Sequence, residues 1–163
     1  YLSGDTFVGE ASTIGAGETG VTVRGLGQIR IGRSGTSSVT LASFNNNNGE
    51  VGTIVTNGSA TAYNTSSDHR LKENVVAMTG ATARLKQLAP KRFNFIADAD
   101  TTVDGFLAHE VQSVVPEAIT GTHNEVDSDG NAVYQGIDQS KLVPLLVATI
   151  QELEARIAAL ESN

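Results

Sequence analysis

The sequence predicts an α+β domain with a C-terminal coiled-coil helix, preceded by an all-β segment of the intertwined-fibre kind. Three observations carry that prediction. Composition changes abruptly at residue 67, from a stretch rich in Gly, Thr, Ser and Asn to one holding most of the acids and bases. The first part consists of short runs of alternating small apolar and polar residues. The chain closes on an apolar repeat at alternating three- and four-residue steps.

Residues 1–66 contain the runs Val21-Thr22-Val23, Gln28-Ile29-Arg30-Ile31, Ser38-Val39-Thr40-Leu41 and Val51-Gly52-Thr53-Ile54-Val55, separated by glycines and by Asn45 to Asn48. They read as short strands joined by tight turns. Leu2, Phe7, Leu26, Phe44 and Tyr63 are spread too thinly for a monomeric core, so the buried surface is expected to come from identical neighbouring chains. A flexible Gly/Ser linker is the alternative, and the regular β-branched positions speak against it.

Beyond residue 67 a helix is expected over Thr79 to Gln87, with Ala83 and Leu88 on its apolar face. Pro90 separates it from a strand at Arg92-Phe93-Asn94-Phe95-Ile96, and Asp104-Gly105 reads as a turn. Phe106 to Val115 reads as a short strand passing into a helix that stops before Pro116. Ala118-Ile119-Thr120 and Ala132-Val133-Tyr134 read as a hairpin around Asp127-Ser128-Asp129-Gly130-Asn131. The last helix, over about residues 140–161, has Asp138 or Ser140 as its cap. Val143, Leu146, Ile150, Leu153, Ile157 and Leu160 form a heptad seam that needs a partner helix, unless the helix lies on its own domain.

Composition narrows the function classes. The chain of 163 residues is 39% hydrophobic, enough for one modest domain or two small parts, and it has no cysteine to form disulfides or thiolate metal sites. A net charge of −7 argues against nucleic acid or an anionic membrane as partner. The longest apolar run, Leu142 to Ile150, contains Pro144 and Thr149 and is too short to insert in a membrane. A start at Tyr1 rather than Met, without a signal peptide, is expected of a fragment of something longer.

No metal or cofactor is expected. His69, His109 and His123 lack a recognisable ligand spacing, and the loop at Asp127 has its glycine too early and no following Glu for a calcium site. Asp5, Glu10, Glu18 and Glu50 are the only acids of the first 66 residues, too thin a set for paired-carboxylate glycan hydrolysis.

At the composition boundary stands Ser67-Asp68-His69-Arg70-Leu71-Lys72-Glu73-Asn74, with a serine and a lysine five positions apart. A serine hydroxyl needs a base, and a lysine becomes one when burial or nearby positive charge, such as Arg70, favours its neutral form. Five residues along a helix turn a side chain by about 500°, leaving the pair roughly 140° apart, and along a strand they face opposite ways. Ser67 must therefore lie in a turn before a regular segment, or pair with a lysine from another chain. The plain alternative makes Thr65, Ser66, Ser67 and Asp68 turn and cap residues.

Ser67 to Val75 resembles the signature of the S74 peptidase family, the C-terminal intramolecular chaperones of phage tailspikes, tail fibres and neck appendages, endosialidase tailspikes among them. Leu88-Ala89-Pro90 with Phe93, Gly105 to Val111, and Lys141 to Leu146 leading into Ile150 to Leu153 are similar to the family's interior. His109 departs from it, standing where many relatives have Gln. The resemblance implies Ser67 and Lys72 as catalytic dyad, cleavage between Ser66 and Ser67, and a homotrimer. Asp68, Arg70 and Asn74 are candidate supporting residues; backbone N–H groups from Asp68 to Arg70, or Asn74, are candidates for the oxyanion. An N-to-O acyl shift and an ordinary acyl-enzyme both remain open.

The expected function follows from the two parts together. Residues 67–163 would be a chaperone that trimerises and folds the fibre or spike ending in residues 1–66, then cuts itself off as a single-turnover serine endopeptidase. Its partners are its own copies and the upstream fibre as client, with a host receptor or glycan contacted by parts further upstream. The fibre would reside in the virion tail after assembly in the host cytoplasm. Seam chemistry alone, with Val or Ile alternating with Leu, favours two strands; the resemblance implies three. The alternatives are a receptor-binding fibre tip that stays attached, and a membrane-bound transcription factor that releases itself through a related domain.

Overall fold

The computed structural model describes residues 19–24 and 28–162 as a mixed α+β chain with several small sheets and a C-terminal helix. It divides into two compact units, Tyr1–Asn74 and Val75–Asn163, so the serine–lysine stretch belongs with the strands. Leu2 and Phe7, like Asp5, Glu10, Glu18 and Leu26, lie outside the described residues.

In the first unit β1 (Gly20–Arg24) pairs antiparallel with β2 (Gln28–Gly32). A separate antiparallel sheet runs β3-β4-β5, from β3 (Val39–Asn46), β4 (Gly49–Thr56) and β5 (Thr61–Thr65). Asn45 and Asn46, read from sequence as turn, are strand residues. The reversal is made by Asn47 and Asn48, with Asn46 Oδ1 accepting from the Asn48 N–H at 2.8 Å and Gly49 at φ 98°. The β4–β5 turn is built likewise on Asn57, whose Oδ1 accepts from the N–H groups of Ser59 and Ala60 at 2.9 and 2.8 Å. No described residue of this unit is buried. Phe44, Ile54 and Tyr63 share one face of the sheet, and Phe44 and Tyr63 stand exposed on it.

The second unit carries the core: Ala81, Val111, Val114, Val115, Ala118, Leu142 and Leu145. Its elements are α1 (Ala81–Leu85), β6 (Lys91–Phe95), β7 (Asp98–Gly105), α2 (Ala108–Gln112), β8 (Ile119–Thr120), β9 (Gly136–Ile137) and α3 (Val143–Glu161). The first helix is shorter than the sequence predicts. It starts only after Gly80 in the left-handed region, and its inward side is Ala81 with Leu85 and Leu88, whereas Ala83, about 200° round the helix from Ala81, is exposed.

Asp104 and Gly105 are not a turn. They end β7 opposite Arg92 and Lys91, with Arg92 Nε donating to Asp104 Oδ1 at 2.7 Å and the Phe93 ring close over Gly105, where a Cβ would lie 3.2 Å from it. The reversal falls instead between β6 and β7, leaving Ile96 exposed. Phe106 and Leu107 are outside any strand, and the helix that follows stops before Pro116 as expected. The predicted hairpin is displaced: β8 pairs with β9, and Ala132 makes only a single bridge to Val126. Ala118 is drawn out of the ladder into a 3-10 turn, Pro116–Ala118, that buries it in the core.

A 3-10 turn, Gln139–Leu142, capped by Asp138 accepting from the Ser140 N–H at 3.0 Å, leads into α3. Two neighbouring stripes on α3 have different fates. Leu142, Leu145 and Thr149 are buried and Glu152 is half-buried toward α1, while Val143, Leu146, Ile150, Leu153, Ile157 and Leu160 are all exposed. The helix thus lies on its own domain and still leaves the seam open.

Glu152 closes α1. Gly80 offers no side-chain cap, and the Glu152 carboxylate accepts from the N–H of Ala81 at 2.7 Å, the N–H of Thr82 at 2.8 Å and the Thr82 hydroxyl at 2.6 Å. These bonds, the Thr82 hydroxyl first, hold its pKa below the usual glutamate range. A depressed folded-state pKa contributes stability that is fully present above the unfolded value of about 4.3 and is lost as pH falls through the folded value. Glu152→Gln is expected to lower Tm by a few degrees at pH 7, with the gap to the parent chain closing as pH falls below the usual glutamate range. Thermal denaturation across that range checks it.

Candidate active site

The site begins where β5 ends. Thr65 is the last ladder residue, opposite Gly52, and Ser66 continues the pairing with its N–H donating to the Val51 carbonyl at 3.2 Å. Ser67 and Asp68 follow in irregular backbone, and a 3-10 turn over His69–Leu71 reverses the chain. Asp68 is its cap, accepting from the Arg70 N–H at 2.8 Å, and the turn is closed by Leu71 N–H to Asp68 O and Lys72 N–H to His69 O, both 3.1 Å. Asp and Ser before a short turn are what the local sequence favours.

That reversal brings Lys72 back onto Ser67. Lys72 Nζ lies 2.8 Å from Ser67 Oγ and 3.2 Å from the Ser67 carbonyl oxygen, within one chain. The separation that no helix or strand could bridge is bridged by a single turn. Both residues are exposed.

Arg70 does not serve Lys72. Its Nε and Nη2 each donate at 2.9 Å to Asp68, one to each carboxylate oxygen. The fork and the Arg70 N–H hold the Asp68 carboxyl below its ordinary range, and Asp68 in turn raises Arg70. His69 Nδ1 stands 3.5 Å from the same carboxylate. Of the backbone N–H groups from Asp68 to Arg70, that of Arg70 is therefore already taken. Asn74 adopts a left-handed φ of 53°, and no hydrogen bond ties it to Ser67 or Lys72.

The two adjacent serines are held differently, which sequence reasoning did not foresee. The Ser66 hydroxyl donates to the Glu50 carbonyl at 3.0 Å, whereas that of Ser67 meets the lysine. One is committed to the strand before it and the other to the turn after it.

Residues 67–120 match the family model Peptidase_S74, described as chaperone of endosialidase. That segment is similar to the S74 chaperones, over less than half of the chain. It opens on Ser67, takes in Lys72, and stops at Thr120, before α3 and its seam. No curated protein matches the chain.

Within the matched segment and beyond it, the other candidate residues fall elsewhere. Asp127 accepts from the N–H groups of Asp129 and Asn131 at 2.9 and 2.8 Å and from Asn131 Nδ2 at 3.1 Å, so its carboxylate is engaged in shaping its own turn and is held below the ordinary range. His109 and His123, separate in sequence, stack with ring centroids 4.3 Å apart and planes 6° from parallel. Among the described residues no three His, Asp or Glu side chains gather as a metal site would need, and no helix is long and apolar enough to cross a membrane.

Proposed function

We propose that residues 67–163 are an intramolecular chaperone that trimerises and folds a phage tail fibre or tailspike ending in residues 1–66, then releases itself by one autoproteolytic cut between Ser66 and Ser67. The observation that carries this reading is the 2.8 Å approach of Lys72 Nζ to Ser67 Oγ at the start of the S74 segment.

In the proposed reaction the Ser67 hydroxyl proton passes to neutral Lys72 as Oγ bonds to the Ser66 carbonyl carbon. With the Arg70 N–H already given to Asp68, the N–H groups of Asp68 and His69 are the remaining backbone candidates for the oxyanion. The Ser66–Ser67 amide bond breaks, Lys72 returns the proton to the leaving amine, and an ester joins the Ser66 acyl group to Ser67 Oγ. Because the serine attacks the residue before it in its own chain, this step is an N-to-O acyl shift. Water, giving its proton to Lys72, then hydrolyses the ester to a Ser66 carboxylate and restores the Ser67 hydroxyl.

Exposure argues that the single chain is not yet competent. Lysine acts as a base in its neutral form, which desolvation favours, and Lys72 faces solvent. Neighbouring chains gathered by the α3 seam would supply the cover, which makes cleavage follow assembly. The order has a physical use: interchain strand pairing is slow and exposes sticky edges, so a domain that gathers three chains raises their local concentration. Cutting afterwards removes the route back and leaves kinetic stability.

A time course of the parent chain and Ser67→Ala, followed by denaturing gel and by sedimentation, tests the proposal. The parent is expected to split at Ser66–Ser67 as a trimer and Ser67→Ala to stay intact. Cleavage persisting in Ser67→Ala removes Ser67 from the mechanism, a dimer overturns the trimer, and an intact parent in a folded trimer favours a permanently attached fibre tip.

A further inference from the structure

The residue on the acyl side of the proposed cut is held by the sheet, and the residue on the amine side by the turn. Ser66 carries two bonds to consecutive carbonyls of β4: its N–H to Val51 at 3.2 Å and its hydroxyl to Glu50 at 3.0 Å. Glu50 is itself fixed at the strand start, where Ser43 Oγ donates to its Oε2 at 2.6 Å and Asn45 Nδ2 donates to Ser43 at 2.8 Å. Gly52 admits β5 closely at this end, since a Cβ there would stand 3.1 Å from the Asn64 carbonyl. On the other side of the bond, Ser67 is fixed by Lys72 alone.

The geometry points to Ser66 as a positioning residue that makes cleavage read the register of β5 on β4. It rests on the self-cleavage reading above and names the part of the fold that must be in place. Attack on the Ser66 carbonyl carbon needs that carbonyl oriented toward Ser67 Oγ, and an acyl residue free to rotate loses that alignment. With the native pairing Gly52↔Thr65, Ser66 falls opposite the Glu50 and Val51 carbonyls. A one-residue slip of β5 along β4 turns the Ser66 side chain to the opposite face and breaks this arrangement.

Three substitutions at this position and one double variant, all in the full chain, test the inference, with Thr and Val as a near-isosteric pair that differ in the hydroxyl. Ser66→Ala and Ser66→Val are expected to slow self-cleavage roughly fivefold to tenfold, the usual worth of one neutral hydrogen bond, and Ser66→Thr to restore most of the rate. In the pH–rate profile, Ser66→Ala lowers the plateau without moving the inflection, because the base is untouched. Ser66→Ala combined with Ser67→Ala should keep the oligomer and Tm of Ser67→Ala alone. Equal rates for Thr and Val, a parental rate for Ala, or a double variant that loses the oligomer would each overturn the assignment. Cleavage surviving in Ser67→Ala would instead overturn the self-cleavage reading itself, so the two failures are distinct.

Discussion

Lys72→Arg is expected to leave the chain folded and assembled but to reduce self-cleavage by about 10²–10⁴-fold, the range that a positioned general base contributes. Arginine keeps the positive charge and can still donate to Ser67 Oγ and to the Ser67 carbonyl, the two acceptors that Lys72 reaches at 2.8 and 3.2 Å. What it cannot do is lose a proton at any working pH. If the lysine only pinned the turn, arginine would substitute for it. Cleavage rates by denaturing gel, with sedimentation as the folding control, decide between base and pin. A Lys72→Arg chain that cuts at the parental rate would exclude Lys72 as the base.

Placing charge in the seam by Ile150→Asp with Leu153→Asp is expected to reduce the assembly to monomers and, with it, to suppress the cut, although neither residue lies near Ser67 in sequence. Ile150 is 65% exposed and Leu153 40% in the single chain, so the change should leave each protomer folded while setting like charges against one another across the helix contact. Far-UV circular dichroism should be close to the parent, sedimentation should show monomer, and the gel should show uncut chain. A monomer that still cuts itself would break the link between assembly and catalysis and would leave the exposed Lys72 needing another source of desolvation.

These two results bear on different levels of the sequence. The apolar repeat is legible as a period of residues, and Val143, Leu146, Ile150, Leu153, Ile157 and Leu160 all stand exposed. The stripe beside it, Leu142, Leu145, Thr149 and Glu152, is hidden in sequence because two of its four members are polar, yet that stripe packs α3 on its own domain. Glu152 is polar because its task is to cap a helix that begins at a glycine, some seventy residues away. Strands were legible wherever β-branched residues alternate. Turn signals misled where a cross-strand pair outweighed them, as Arg92 with Asp104 does at the end of β7.

By itself the sequence determined the short strands, the C-terminal helix with its apolar seam, and a serine and lysine at a spacing that excludes a regular element. Each of these is local: a period, a propensity or a count of residues. Tertiary structure decided which stripe of α3 is buried, which serine meets the lysine and which is tied to β4, and that Arg70 is engaged by Asp68. Those outcomes depend on how the turn at His69–Leu71 and the pairing of β5 on β4 aim individual side chains. Two adjacent serines are identical in sequence and become different only when one backbone segment ends in a ladder and the next begins in a turn.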